Sequence, residues 1–349
     1  MKVLIVKTSA LGDVVHALPV LAWLKSADPQ MEIDWLVEAG FAPLLEGHPL
    51  LRRVHRLEFK RWCREGRRAL LKGVPAILKT LRSERYDVVF DLQGNCKSGL
   101  FTALCGAPLR YGFGKNGVRE WPNLLATNHK VQLTAADHHI SERSLAVARA
   151  AFPNGKEAPS AGPMHVLPEA LSAVERGLAQ LGLDRQPLMV LQYGTTWTTK
   201  LWPLDCWQEL VGRLCDEDGL RPLLIWGNDA EHEACREICR AGHGKALIWP
   251  RGTLPELVAL LQKADLVVGG DTGPIHIAAA VGTPTVSIFR VTDATRNGPR
   301  GDKHSRLQAP LDCSPCLSKS CQRDDECGHS IAVETVLAGI HSLLGWRAA

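Results

Sequence analysis

A punctuated pattern that runs twice along this chain constrains its fold more than any other feature. Short, nearly continuous apolar segments alternate with amphipathic stretches. KVLIVK (2–7), EIDWLV (32–37) and DVVFDLQG (87–94) lie in the first half. LMVLQYG (188–194), RPLLIWG (221–227), KALIW (245–249), DLVVGGDTG (265–273) and TPTVSIF (283–289) lie in the second. Strands that are apolar on both faces belong to parallel sheets covered by helices on both sides. The pattern pauses over 153–187, which holds APSAGP and an amphipathic stretch from Ala170 to Leu181. At about 100–200 residues per domain, 349 residues make two domains. The expectation is an α/β chain of two Rossmann-like, doubly wound domains facing a cleft, residues 1–165 and 166–330, with a C-terminal helix in 331–349 read from Val333 to Leu344.

In such sheets ligands bind beyond the carboxyl ends of the strands, where loops run into helix N-termini. Three loops qualify. KTSALGDVVH (7–16) has Gly12 for a tight turn and Asp13 at the start of a helical stretch whose Val14, Val15, Leu18, Leu21 and Ala22 share one face. Asp13 reads either as an N-cap or as a reactive carboxylate. GGDTGPIHIAAAVGTP (269–284) places Pro274 at the first helical position, His276 in the first turn and Gly282 at the end. The amides of Thr272 and Gly273 and the helix dipole suit a diphosphate, although Gly-Asp-Thr-Gly is also ordinary turn chemistry. YGTTWTTKLWPLDCW (193–207) carries Lys200, a phosphate partner or a solvated lysine. Nearby, WGNDAEHEA (226–234) puts Glu231 after a strand, where an acid can accept ribose hydroxyls or simply face water.

Several chemistries lack their signatures. No G-x-G-x-x-G follows the first strand, and there is no G-x-x-x-x-G-K-[ST], G-x-S-x-G or H-E-x-x-H.

Taken in order, these segments resemble the ADP-heptose:lipopolysaccharide heptosyltransferases, inverting enzymes of the GT-B fold. The N-terminal likeness, to the heptosyltransferase I branch, rests on VLIVKTSALGDVVHALP, IDWLVEAGFAPL and the basic KRW at 60–62. The C-terminal likeness rests on KLWP (200–203), WGNDAE (226–231) and DTGPIHIAAAVGTPTV (271–286). Residues 110–185 match only weakly.

The resemblance implies roles for individual residues. Asp13 corresponds to the family's general base for the acceptor hydroxyl, in an acceptor-binding N-terminal domain. Lys200 corresponds to its phosphate-binding lysine, Glu231 to its ribose-binding acid, and Asp271, Thr272, Gly273 and His276 to its diphosphate loop. The donor would be ADP-heptose and the acceptor the Kdo of Kdo-lipid A, with no cofactor needed for catalysis. Other acceptors stay open: a second core heptose, an O-antigen sugar or an autotransporter protein. A non-catalytic nucleotide-binding module is the alternative of a different class.

Charge and cysteines complete the reading. Between Arg52 and Arg85 there are twelve basic and three acidic residues, a local +9 in a chain of net charge +4. Basic clusters attract phosphate, whether of nucleic acid or of lipid, and also make solvated helix faces. The resemblance points away from nucleic acid to the carboxylates and phosphates of the acceptor at the inner membrane, with Lys60, Arg61 and Arg64 as candidate contacts. No apolar run approaches the roughly 18–20 residues of a membrane span, and Val3 to Val6 are too few for a signal core, so a cytoplasmic, peripheral enzyme is expected. Most cysteines then read as reduced core residues. Cys313, Cys316, Cys321 and Cys327 form C-x2-C-x4-C-x5-C, followed by His329. They are read as a structural zinc or iron site, as free thiols, or as a site of oxidation.

Overall fold

Val3, Leu4, Ile5 and Val6 are fully buried in β1 (Lys2–Val6), because a parallel partner lies on each side and helices cover both faces. β1 pairs with β2 (Glu32–Glu38), placing Val3 opposite Ile33, and with β4 (Val88–Asp91), placing Val3 opposite Val88. β3 (Arg53–Leu57), β5 (Leu109–Phe113) and β6 (His129–Val131) complete a parallel sheet of order β3-β2-β1-β4-β5-β6. The strand order reverses between β1 and β4, so the loops leaving those strands bound the switch point. The computed structural model describes residues 1–156 and 159–345, and the chain divides into two units, Met1–His165 and Val166–Ala349.

The second unit repeats the plan. β7 (Met189–Gln192), β8 (Leu223–Ile225), β9 (Leu247–Ile248), β10 (Leu266–Gly270), β11 (Thr285–Phe289) and β12 (His304–Gln308) form a parallel sheet of order β12-β11-β10-β7-β8-β9. Trp202 and Trp207 fill its core, and the Trp202 indole donates to the Ile331 carbonyl at 3.0 Å. A terminal helix, Val333–Leu344, buries Val333, Val336, Leu337 and Ile340 in the same core. Residues 346–349 of the expected 331–349 helix lie outside the described residues.

Four strands escaped sequence reasoning. The basic stretch is not helical throughout, since β3 occupies Arg53–Leu57. It is an edge strand, so exposed arginines alternate with the buried His55 and Leu57 and no apolar run forms. β5, β6 and β12 likewise carry too few buried side chains to read as apolar runs. The remaining basic stretch makes two helices, Phe59–Glu65 and Arg67–Glu84, joined at Gly66 with φ 97°. The helix after β1 is also divided, into Leu11–Val15 and Pro19–Ala27. Residues Asp324–Leu344 correct the membrane reading, since by length and composition alone they suffice to cross a bilayer. They form two helices, Asp324–His329 and Val333–Leu344, and the apolar side of the second is core.

Candidate active site

In the first unit the loop after β1 is held from beneath. The side-chain oxygen of Gln93 accepts from the amides of Thr8 and Ser9 at 3.0 and 3.1 Å. Gln93 is placed in turn by Asp91, whose buried carboxylate accepts from the Gln93 and Gly94 amides at 3.0 and 2.9 Å and from Asn123 at 2.6 Å. Burial raises the Asp91 carboxyl above its ordinary range, against these hydrogen bonds. Lys7, 6% exposed, donates to the Leu92 carbonyl at 2.9 Å. Burial lowers its ammonium, while Asp13 and Asp91 pull the other way.

Asp13 rides on this frame at the third position of Leu11–Val15. Ala10, not Asp13, is the N-cap, and the Asp13 carboxylate reaches back to accept the Ala10 amide at 3.1 Å. That bond orients the carboxylate while the residue stays partly exposed. Lys7, Asp91 and Gln93 are the residues that sequence reasoning passed over. The lysine ending an apolar strand inside the KTSALGD loop was the available signal.

In the second unit β8, β7 and β10 are neighbours, so the loops leaving them share one edge of the sheet. Lys200, in the single turn Thr198–Lys200 after β7, donates to Asp271 Oδ2 at 2.7 Å and to the Asp271 carbonyl at 3.3 Å. His276 Nε2 lies 3.0 Å from Asp271 Oδ1, and an ionised carboxylate can only accept there, so the ring donates. Burial would raise the Asp271 carboxyl, but the His276 hydrogen bond and the charges of His276 and Lys200 hold it well below the usual carboxylate range. The diphosphate-loop reading therefore divides: the Asp271 side chain orients Lys200 and His276, and the helix start offers its amides. Thr272 caps Gly273–Ala280 in extended conformation, and the first-turn amides have no acceptor within the helix. Pro274 is the second helical residue rather than the first, Gly273 preceding it.

Glu231 is the third residue of Asp229–Arg240. Its carboxylate accepts from the Gly227 amide and the Asn228 side chain, both at 2.7 Å. A side chain at Gly194, the residue where the β7 loop begins, would overlap that carboxylate. Glycine there lets the loops after β7 and β8 meet.

Arg61 is bound to Glu58 at 3.1 Å and Glu65 at 2.7 Å, so it is committed to its own helix. Lys60 sits 5.5 Å from the Phe41 ring, and Arg64 lies one turn on; both are exposed. Further along, Arg52 binds Asp34 and Glu84, and Arg53 pairs with Glu84, so part of the +9 is neutralised within the unit.

The four cysteines do not converge on one point. Cys313, Cys316 and Cys321 are exposed, and Cys327 is buried. Among the described residues, the group whose possible ligand atoms fall within 4.8 Å of one another is Asp205, Cys206 and His329. His329, two residues beyond Cys327 on the helix Asp324–His329, lies 3.0 Å from Asp205 Oδ2.

Two parallel six-stranded sheets flanked by helices match the architecture of the GT-B glycosyltransferases. Residues 74–326 match the model of glycosyltransferase family 9 (heptosyltransferase). Lipopolysaccharide heptosyltransferase 1 of Pseudomonas aeruginosa is 35% identical over 92% of this chain and 87% of its own. The protein of that name from Escherichia coli K12 is 32% identical over 89% of this chain and 94% of its own. The structure of E. coli heptosyltransferase WaaC with ADP-2-deoxy-2-fluoro heptose has a TM-score of 0.77 at 26% identity, covering 98% of this chain and 99% of that one. The chain belongs to glycosyltransferase family 9, the heptosyltransferases.

Proposed function

We propose that the enzyme transfers heptose from ADP-heptose to the Kdo of the lipopolysaccharide inner core, with inversion at the anomeric carbon. Residues 1–165 hold the acceptor and the base, and residues 166–330 hold the donor. The observation that carries the reading is Lys200, oriented by Asp271 beside a helix start with available amides. A departing ADP gains negative charge on its diphosphate. An oriented ammonium, first-turn amides and the helix dipole stabilise that charge without a metal step. Glu231 receives the ribose hydroxyls, exchanging contacts that it makes with Gly227 and Asn228.

Asp13 takes the proton of the acceptor hydroxyl as the new glycosidic bond forms. Its carboxylate is oriented through one amide and partly open, as a base receiving a substrate proton must be. Lys60 and Arg64 contact the anionic acceptor, and their charge favours peripheral association with the inner membrane at about 1 kcal/mol per residue. A structural zinc or iron ion at Cys313, Cys316, Cys321 and Cys327 would require the four thiols to draw together on binding. The thiol donor set suits either metal. Metal analysis of protein purified under reducing conditions tests that element, and a sub-stoichiometric result removes it.

Incubation with ADP-heptose and Kdo2-lipid A, following ADP release and product mass, tests the whole reading. Binding of ADP-heptose without transfer to Kdo would transfer the case to another acceptor or to a non-catalytic module.

A further inference from the structure

The stretch around Lys200 is fastened almost residue by residue to the C-terminal segment that carries the cysteines. The Thr199 hydroxyl donates to the Ser318 carbonyl at 2.7 Å. The Leu201 carbonyl accepts from Arg290. Trp202 donates to Ile331, Pro203 packs against Gly328 closely enough to exclude a side chain there, and Asp205 meets His329. Lys319 approaches the Trp197 ring to 4.9 Å, and Lys200 approaches the same ring to 5.1 Å.

Arg290 is the centre of this seam. It follows β11, is 3% exposed, and donates to the Leu201 carbonyl, to the Asp324 carbonyl and, at 2.8 Å, to Asp324 Oδ1. A buried guanidinium needs acceptors on several sides, and Arg290 obtains them only if the Lys200 loop and the cysteine segment both stay in place. The segment is tied to the same strand end. The Cys316 and Leu317 amides donate to the Val291 carbonyl at 3.1 and 2.8 Å, and Ser314 donates to the Arg290 carbonyl at 2.7 Å. Lys200 is thus bracketed. Its preceding neighbour is held by the segment directly, and its following neighbour is held through Arg290.

We propose that Arg290 is a positioning residue for Lys200, and that the cysteine-bearing segment is the anchor from which it acts. The inference rests on Lys200 being a donor-site residue. It gives the segment a role in nucleotide-sugar binding: whatever constrains or loosens residues 313–327 moves the lysine that meets the diphosphate.

Calorimetric titration with ADP, together with steady-state kinetics for ADP-heptose and Kdo2-lipid A, tests it on the full chain. Asp324→Ala should raise the ADP-heptose KM and the ADP Kd about fivefold and lower kcat, leaving the acceptor KM unchanged; Arg290→Gln should do more. Asp324→Asn keeps an acceptor at the same place and should restore most of the donor affinity. A merely structural role would reduce kcat through the folded fraction, with a lowered Tm and both KM values unchanged, and that outcome overturns the proposal. So does an Asp324→Ala donor KM within twofold of the parent while Lys200→Ala weakens ADP binding. If Lys200→Ala itself leaves ADP affinity unchanged, the donor-site reading fails first.

Discussion

Lys200 Nζ lies 2.7 Å from Asp271 Oδ2, a contact between residues 71 positions apart on loops leaving adjacent strands. It converts two unremarkable polar residues into an oriented cation. The pair is largely buried, with side-chain exposures of 15% and 6%, so removing Lys200 leaves the buried Asp271 charge to His276. Lys200→Met should therefore cost about 1–3 kcal/mol in chemical denaturation and weaken ADP binding. Lys200→Met/Asp271→Asn should recover part of the stability and none of the binding. Stability restored together with binding would show that Lys200 serves the fold alone.

Asp13 is partly exposed and accepts one amide, and Asp91 remains beside Lys7 to balance its charge, so the removal of Asp13 should cost the fold little. Asp13→Ala should reduce transfer by about 10²–10⁴-fold, the usual range for a general base, with ADP-heptose affinity within twofold of the parent. Turnover near the parent rate would end its assignment.

Gly194 lies where the Glu231 carboxylate needs space. Gly194→Ala should displace Glu231 from the Gly227 amide and raise the ADP-heptose KM, as should Glu231→Ala. Because both act on one contact, the double variant should be no worse than the more severe single one. Additive effects on KM would show that the two residues act separately.

Among the basic residues, internal pairing predicts a ranking. Arg61 is engaged by Glu58 and Glu65, whereas Lys60 and Arg64 carry exposed charge. Lys60→Glu and Arg64→Glu should raise the acceptor KM more than Arg61→Glu does, and leave the donor KM alone. The difference should shrink at high salt. An effect confined to the donor KM would return this face to a solubility role.

His304 gives the second unit a pH dependence. Burial, with Lys303 and Arg306 nearby, pushes its imidazole down to about 4. Between about pH 6.5 and pH 4 the unfolded chain takes up a proton that the folded state refuses. The stability conferred by this group is complete above that window and is lost as the pH falls through it. Scanning calorimetry should show the Tm of His304→Asn declining less between pH 7 and pH 4.5 than that of the parent. Parallel declines would remove His304 as a cause.

The α/β class and the site loops were legible in the sequence because buried parallel strands such as Val3–Val6 and Leu266–Val268 are apolar on both faces. The loops after them carry glycine and capping chemistry that depends on neighbours in sequence. Edge strands were not legible. Arg53–Leu57 and His304–Gln308 are buried on one face at most, and their pairing depends on strands folded elsewhere.

Residue types and their order determined by themselves that this chain builds two parallel sheets and carries Asp13, Lys200, Glu231 and the 271–276 loop at strand ends. Tertiary structure alone decided what those side chains do there. It turned Asp13 back onto the Ala10 amide, spent Asp271 on Lys200 and His276, and tied the cysteine segment to the Lys200 loop through Arg290. The reason is physical. Local periodicity reports which face of an element is buried, whereas a hydrogen bond or ion pair between residues 71 apart exists only after sheet order has brought their loops together.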